Sequence, residues 1–217
     1  MKLFFPSGLF KIIAVLILSC GTVMAQSETA PSNPNVRLGQ KALLDGDFKA
    51  AATYLEKAMP EEAGDPNVMY MLGYAQYHSG DYQKALVSFG KVVELRPDDE
   101  RSYYYKGRLN NMLAVQTDSK LSTAKREELL RESIGDFSSG IALNDQDVKL
   151  FQNRAISYRD LGILLGTSGT ANYDKEKAVE AYNLSIADFE KVLGFFPDRK
   201  DIETEIKKAR IYRDNLK

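Results

Sequence analysis

A catalytic centre needs a base, a nucleophile or a cluster of metal ligands, and this sequence offers one histidine, one cysteine and no tryptophan. His78 stands alone. A general base works only with partners within hydrogen-bond reach, and no partner motif accompanies it. One histidine and one cysteine cannot supply the ligand set of a zinc site. The stretch Gly162 to Gly169, with Thr167 and Ser168, superficially resembles a phosphate loop. It lacks the lysine after the second glycine and the preceding strand, so it reads as a flexible turn. Asp136 and Asp188 lie in Ser-Ile-Gly-Asp-Phe and Ser-Ile-Ala-Asp-Phe, where a carboxylate pair could do acid–base work. Repetition of one structural unit explains their likeness without such a role. We therefore expect a non-enzymatic chain with no catalytic residue, no metal site and no cofactor.

Composition points the same way. With 44% hydrophobic and 27% charged residues and a net charge of -1, the 217-residue chain is an ordinary globular one with a real core. It has no basic excess of the kind that binds nucleic acid. Residues 1–25 differ: Lys2 and Lys11 are the only charges before Glu28, and Ile12 to Leu18 is unbroken apolar. A bilayer-crossing helix needs about 20 apolar residues. A shorter run with a basic start and a Val23-Met24-Ala25 exit reads as a secretory signal peptide, followed by a polar tether over residues 26–32. No membrane span is then expected in the mature chain. Cys20 follows Ile17-Leu18-Ser19, which resembles the lipobox of bacterial lipoproteins, although leucine before the small residue fits that box poorly. The expectation is an exported protein, periplasmic or secreted, with an outer-membrane lipoprotein anchored through Cys20 as the alternative. Cleavage after Ala25 leaves no cysteine, so the fold must rest on packing rather than disulfides.

The elements that must position any functional side chain are legible as an internal repeat. At a spacing of 34 residues, Leu38-Gly39 matches Leu72-Gly73, Gly46-Asp47-Phe48 matches Gly80-Asp81-Tyr82, and Ala51, Leu55 and Ala58 match Ala85, Phe89 and Val92. Pro97 closes the second unit. This pattern resembles the tetratricopeptide repeat, a 34-residue helix–turn–helix. The resemblance implies an all-α, right-handed α-solenoid of about four such pairs plus a C-terminal capping helix. Gly39, Gly73 and Gly107 then allow close approach of paired helices, and Gly46 and Gly80 end first helices where a left-handed conformation favours glycine. Asn33-Pro34 and Asp65-Pro66 each place a cap residue before a proline at the first helical position.

The last two units are stretched. Ser133, Phe137 and Gly140 follow Ala85, Phe89 and Val92 by 48 residues, an insertion of 14, and Ser185, Phe189 and Val192 follow them by a further 52, an insertion of 18. The expected units are 33–65, 66–98, 99–145 and 146–197 within a solenoid over 33–217, capped by 198–217. In that cap Ile202, Ile206 and Ala209 form an apolar stripe. Serines stand where the family has alanine, and Lys106 where it has leucine. The insertions are rich in helix formers, so we expect them to lengthen both arms of each hairpin by about seven to nine residues, roughly 10–14 Å, and to pack together. Turns are expected near Gln116 to Ser122 and Gly166 to Asn172.

In this family the first helices line a concave face. Carried over by register, the resemblance implies a partner-binding groove of Tyr70, Tyr74 and Tyr77 from the second unit; Arg101, Tyr104, Arg108 and Asn111 from the third; and Lys149, Gln152 and Arg159 from the fourth. Tyrosine offers large contact area and arginine forks onto carboxylates. The implied function is a protein–protein interaction adaptor of the cell envelope whose groove holds an acidic, extended peptide or a partner domain. The alternative is a lipid-anchored structural component of an envelope assembly.

Overall fold

The computed structural model describes residues 33–117 and 120–216. The expected signal peptide, the tether and Cys20 lie outside the described residues, as do 118, 119 and 217. Among the described residues there are nine helices and no strand: α1 (Pro34–Leu44), α2 (Phe48–Glu62), α3 (Pro66–Ser79), α4 (Tyr82–Leu95), α5 (Glu100–Val115), α6 (Thr123–Leu143), α7 (Val148–Gly166), α8 (Lys175–Phe195) and α9 (Lys200–Asp214). Each packs against its neighbours in the chain, giving four successive helix pairs closed by α9, an all-α solenoid. No described helix is long and apolar enough to cross a membrane.

The helix boundaries follow from capping chemistry. Asn33, Asp47, Asp65, Asp99, Ser122, Asp147 and Asp174 each accept a hydrogen bond from a backbone N–H in the first turn that follows, satisfying donors a helix start leaves orphaned. Gly80 ends α3 at φ 90°, and Gly46 follows α1 at φ 75°, the left-handed region where a side chain is strained.

The pairs are closed by one device. Phe89, Phe137 and Phe189 are fully buried, and Gly73 and Gly107 lie against the first two rings so closely that a Cβ would sit 3.2 Å from Phe89 and 2.8 Å from Phe137. Leu55 meets Gly39 in the first pair.

The insertions are helical, but their distribution differs from the expectation. α6 and α8 each have 21 residues against 14 in α4, whereas α5 has 16 and α7 has 19 against 14 in α3. Lengthening thus falls mainly on the second arms, and the connections take part of the rest. At the end of α5 the Arg126 guanidinium turns back and donates to the Ala114 and Gln116 carbonyls, capping that end. The extra turns do pack together. Ala114, Leu129, Leu130, Leu161, Leu165, Ala178 and Ala181 form a core of their own, which Leu216 joins from the end of the chain. Gly162 is corrected: it is not a turn but an interior residue of α7, where the Tyr182 ring leaves room for no Cβ. Within Gly162 to Gly169 only Gly169 has a left-handed φ.

Candidate functional site

The candidate site is built on α3 and α5. Tyr70, Tyr74 and Tyr77 recur at i, i+4 and i+7 along one face of α3, and Arg101, Tyr104, Arg108 and Asn111 do the same on α5. The tyrosines form a continuous ring cluster in which Tyr70 lies edge-on to Phe89 at 5.5 Å and parallel to Tyr74 at 6.5 Å. The Arg101 guanidinium lies over the Tyr70 ring at 4.6 Å. That of Arg108 lies between two rings, 5.4 Å from Tyr77 and 5.6 Å from Tyr104, and donates to the Tyr104 hydroxyl at 3.2 Å. Such stacking orders the guanidinium without neutralising it.

At the centre of the cluster is Tyr105, which the register carry-over passed by. Its ring stacks on Phe89 at 4.8 Å and meets Tyr70, Tyr74 and Tyr77 at 5.2–6.2 Å. The signal for it was the apolar spacing of Tyr105 and Leu109 on α5, which both pack on the preceding unit. His78 is exposed yet stacks on Phe48 at 4.6 Å and touches Tyr74 at 4.3 Å.

These contacts set the charge of the site. Burial pushes the Tyr70, Tyr77 and Tyr105 phenols up, with Arg101 and Arg108 pulling the first two back. All three are therefore protonated and neutral at physiological pH. Burial and then the nearby Arg108 charge push the His78 imidazole down, so it too is neutral. Two guanidiniums on a neutral aromatic bed remain. Arg101 has the Asp99 carboxylate 3.7 Å away; Arg108 has no carboxylate partner among the described residues.

The other expected groove residues are differently placed. Asn111 donates to Asp160 at 3.0 Å, Asp160 pairs with Arg159 at 2.9 Å, and Arg159 also pairs with Glu205 of α9. This chain of contacts ties α5, α7 and α9 together, so Arg159 is a neutralised part of the fold. Gln152 accepts weakly from Arg199 at 3.4 Å. Lys149 is exposed at the start of α7, apart from the tyrosine cluster. Asp136 and Asp188 are not a pair. Asp136 accepts from Lys106 at 2.9 Å and Asn110 at 3.0 Å, and Asp188 accepts the Arg154 fork at 2.7 and 2.8 Å. Among the described residues no three histidine, cysteine or acidic side chains are grouped to hold a metal.

A solenoid of paired helices that presents rigid aromatic and cationic side chains on its first helices belongs to the class of helical-repeat scaffolds. The tetratricopeptide repeat model matches residues 42–109, a stretch from α1 into α5 that is similar to that family. Interferon-induced protein with tetratricopeptide repeats 2 of Cricetulus griseus is 27% identical over 109 residues, a stretch that is 48% of this chain and 23% of that protein. This chain thus matches about a quarter of the curated relative's length. Among solved structures, the MamA RS-1 ArsTM double mutant superposes with a TM-score of 0.50 at 20% identity, covering 83% of this chain and 93% of its own. The assembly chaperone of RpL4 (Acl4) gives 0.50 at 12% identity, covering 85% and 70%. These likenesses are of fold.

Proposed function

We propose that this protein is a non-catalytic adaptor that holds an acidic, extended segment of a partner protein on the faces of α3 and α5, with Arg108 as its principal anchor. The observation that carries the reading is a contrast among cations. Lys106, Arg154 and Arg159 are consumed by internal carboxylates, whereas Arg108 is ordered by two ring faces and keeps its charge for an external acid. Pre-ordering lowers the entropy lost when a partner carboxylate docks. The signal-like residues 1–25 support export to the periplasm or beyond; under the alternative, Cys20 carries lipid and the protein is an envelope component. Intact mass of the mature protein separates these, since cleavage leaves Gln26 first and lipidation leaves an acylated Cys20.

A photo-crosslinking side chain at Tyr104, compared with one at Val87 on the exposed face of α4, tests the groove in the native envelope. The expected result is a partner captured from Tyr104, not from Val87, and lost in Arg108→Ala. A charged hydrogen bond contributes about 1.5–3 kcal/mol, so Arg108→Ala should weaken binding of the captured partner roughly ten- to a hundredfold with melting unchanged. A partner captured only from Val87, or binding indifferent to Arg108→Ala, would overturn the reading.

A further inference from the structure

The face that carries the two arginines continues beyond them and changes character. Val115 lies seven residues after Arg108 and fourteen after Arg101, which at 3.6 residues per turn puts all three on one stripe of α5. On α7, Ile163 lies eleven residues after Gln152 and four after Arg159, again on one stripe. Val115 and Ile163 are each 44% exposed, and neither belongs to the core that joins the lengthened hairpins. Between them is a cavity of about 330 Å³ lined by Val115, Leu130, Ile163 and Leu164 together with the polar Arg126, Asp160 and Thr167. These turns of α7 exist because the fourth unit is longer than a standard repeat: α7 has 19 residues where α3 has 14. What sets Val115 and Ile163 apart from other exposed apolar residues such as Val87 is that they line one cavity together.

We propose that the groove is bipartite and that a single partner segment docks carboxylates on Arg101 and Arg108 and an apolar side chain in the cavity between α5 and α7. The proposal rests on the adaptor reading and sharpens its partner. Charge complementarity and continuity along one helix face select the occupant: an extended protein segment lying along α5. Seven residues of helix rise about 10.5 Å, which an extended chain spans in about three residues at ~3.3 Å each. The partner motif is therefore an acidic residue, a second acid about three positions on, and a leucine-like residue about three positions beyond that.

Selection of a random peptide library on the immobilised full chain, repeated on Ile163→Ser, Val115→Ser and Arg108→Ala, tests this. The expected peptides from the parent protein pair aspartate or glutamate with an apolar residue about three positions away. Selection on Ile163→Ser or Val115→Ser should keep the acids and lose the apolar preference, and a peptide chosen on the parent should bind Ile163→Ser about tenfold more weakly. Acid-rich peptides without a spaced apolar position, identical on the parent and Ile163→Ser, would overturn the bipartite groove and leave the adaptor reading standing. Apolar peptides without acids, or peptides indifferent to Arg108→Ala, would overturn both.

Discussion

The first two helix pairs and the last two solve the same packing problem with different materials. In α1–α4 the residue before the close-approach glycine is leucine, exposed at Leu38 and buried at Leu72, and the helices cross at the buried Ala51 and Ala85. In α5–α8 the equivalent positions hold Lys106 and Arg154, each paired to a buried aspartate of the facing helix at 2.9 and 2.7 Å. The crossing residues are Ser133 and Ser185, which donate to the Gly107 and Ala155 carbonyls at 2.7 Å each. The difference tracks length. Apolar side chains tolerate a slip of one helical turn, and a 21-residue arm offers more slipped registers than a 14-residue one. A buried ion pair does not tolerate it, because slippage strands two charges. We read the ion pairs as register pins; the shorter α3–α4 pair has a neutral link instead, with the buried Ser88 donating to Gln76 at 2.7 Å.

The largest expected effect breaks a pin. Arg154→Leu restores the residue type of the front units but leaves Asp188 buried and unpaired, and should cost about 3 kcal/mol or more in urea unfolding. Arg154→Leu combined with Asp188→Leu should recover most of that loss, since a well-packed apolar pair can match a buried ion pair. The double variant should also unfold over a broader denaturant range as register becomes less specified. A single variant as mild as the double would remove the distinction between the two halves.

A smaller effect sharpens the comparison at the glycines. An alanine Cβ at Gly107 would lie 2.8–2.9 Å from three atoms of the Phe137 ring, whereas at Gly73 the equivalent distances to Phe89 are 3.2 Å. Overpacking of a rigid ring costs about 1–3 kcal/mol, set against about 1 kcal/mol gained when glycine becomes alanine within a helix. Gly107→Ala should therefore lower the melting temperature, while Gly73→Ala should leave it near the parent value. Equal losses in the two would mean that the back pairs are no tighter than the front ones.

How much of this could be read in advance depends on whether a residue's partner lies within one repeat. The paired helices, the caps at Asn33 and Asp65 and the close approach at Gly39, Gly73 and Gly107 are intra-unit features, and the 34-residue register revealed them along with the helical solenoid. The departures at Lys106 and at the two aspartates were visible singly, but joining them required knowing which positions of paired helices face each other, 30 and 34 residues apart. Tyr105 was missed because it packs backward onto α3 and α4, a contact between units. Arg159 and Asn111 were read as groove residues from their outward register, yet both meet Asp160 of α7, whose acidity no repeat pattern dictates. Gly162 misled for the opposite reason: with Thr167, Ser168 and Gly169 it read as the start of a turn, and the extra turns carried the helix through it.

The smallest expected effect asks whether the pin at Lys106 is held by charge or merely accommodates it. Burial pushes the Asp136 carboxyl up, and the hydrogen bonds and charge of Lys106 and then Asn110 only partly offset this. A carboxyl whose folded pKa is raised favours the folded state when protonated. Its contribution is therefore fully present below the unfolded value of about 3.9 and is lost as pH rises through the higher folded value. Asp136→Asn removes that titration while leaving an acceptor for Asn110, and Lys106, with its side chain 22% exposed, can turn to water. The carboxylates of Glu56, Glu127 and Glu205, pulled down by their partners, act oppositely and lose stability on acidification, but they cancel between parent and variant. The stability of Asp136→Asn relative to the parent should thus fall as pH is lowered from about 7 to about 3.5. Urea midpoints at the two ends measure it. A difference that stays constant, or moves the other way, would show that the Lys106 charge outweighs burial and that this pin stabilises through attraction.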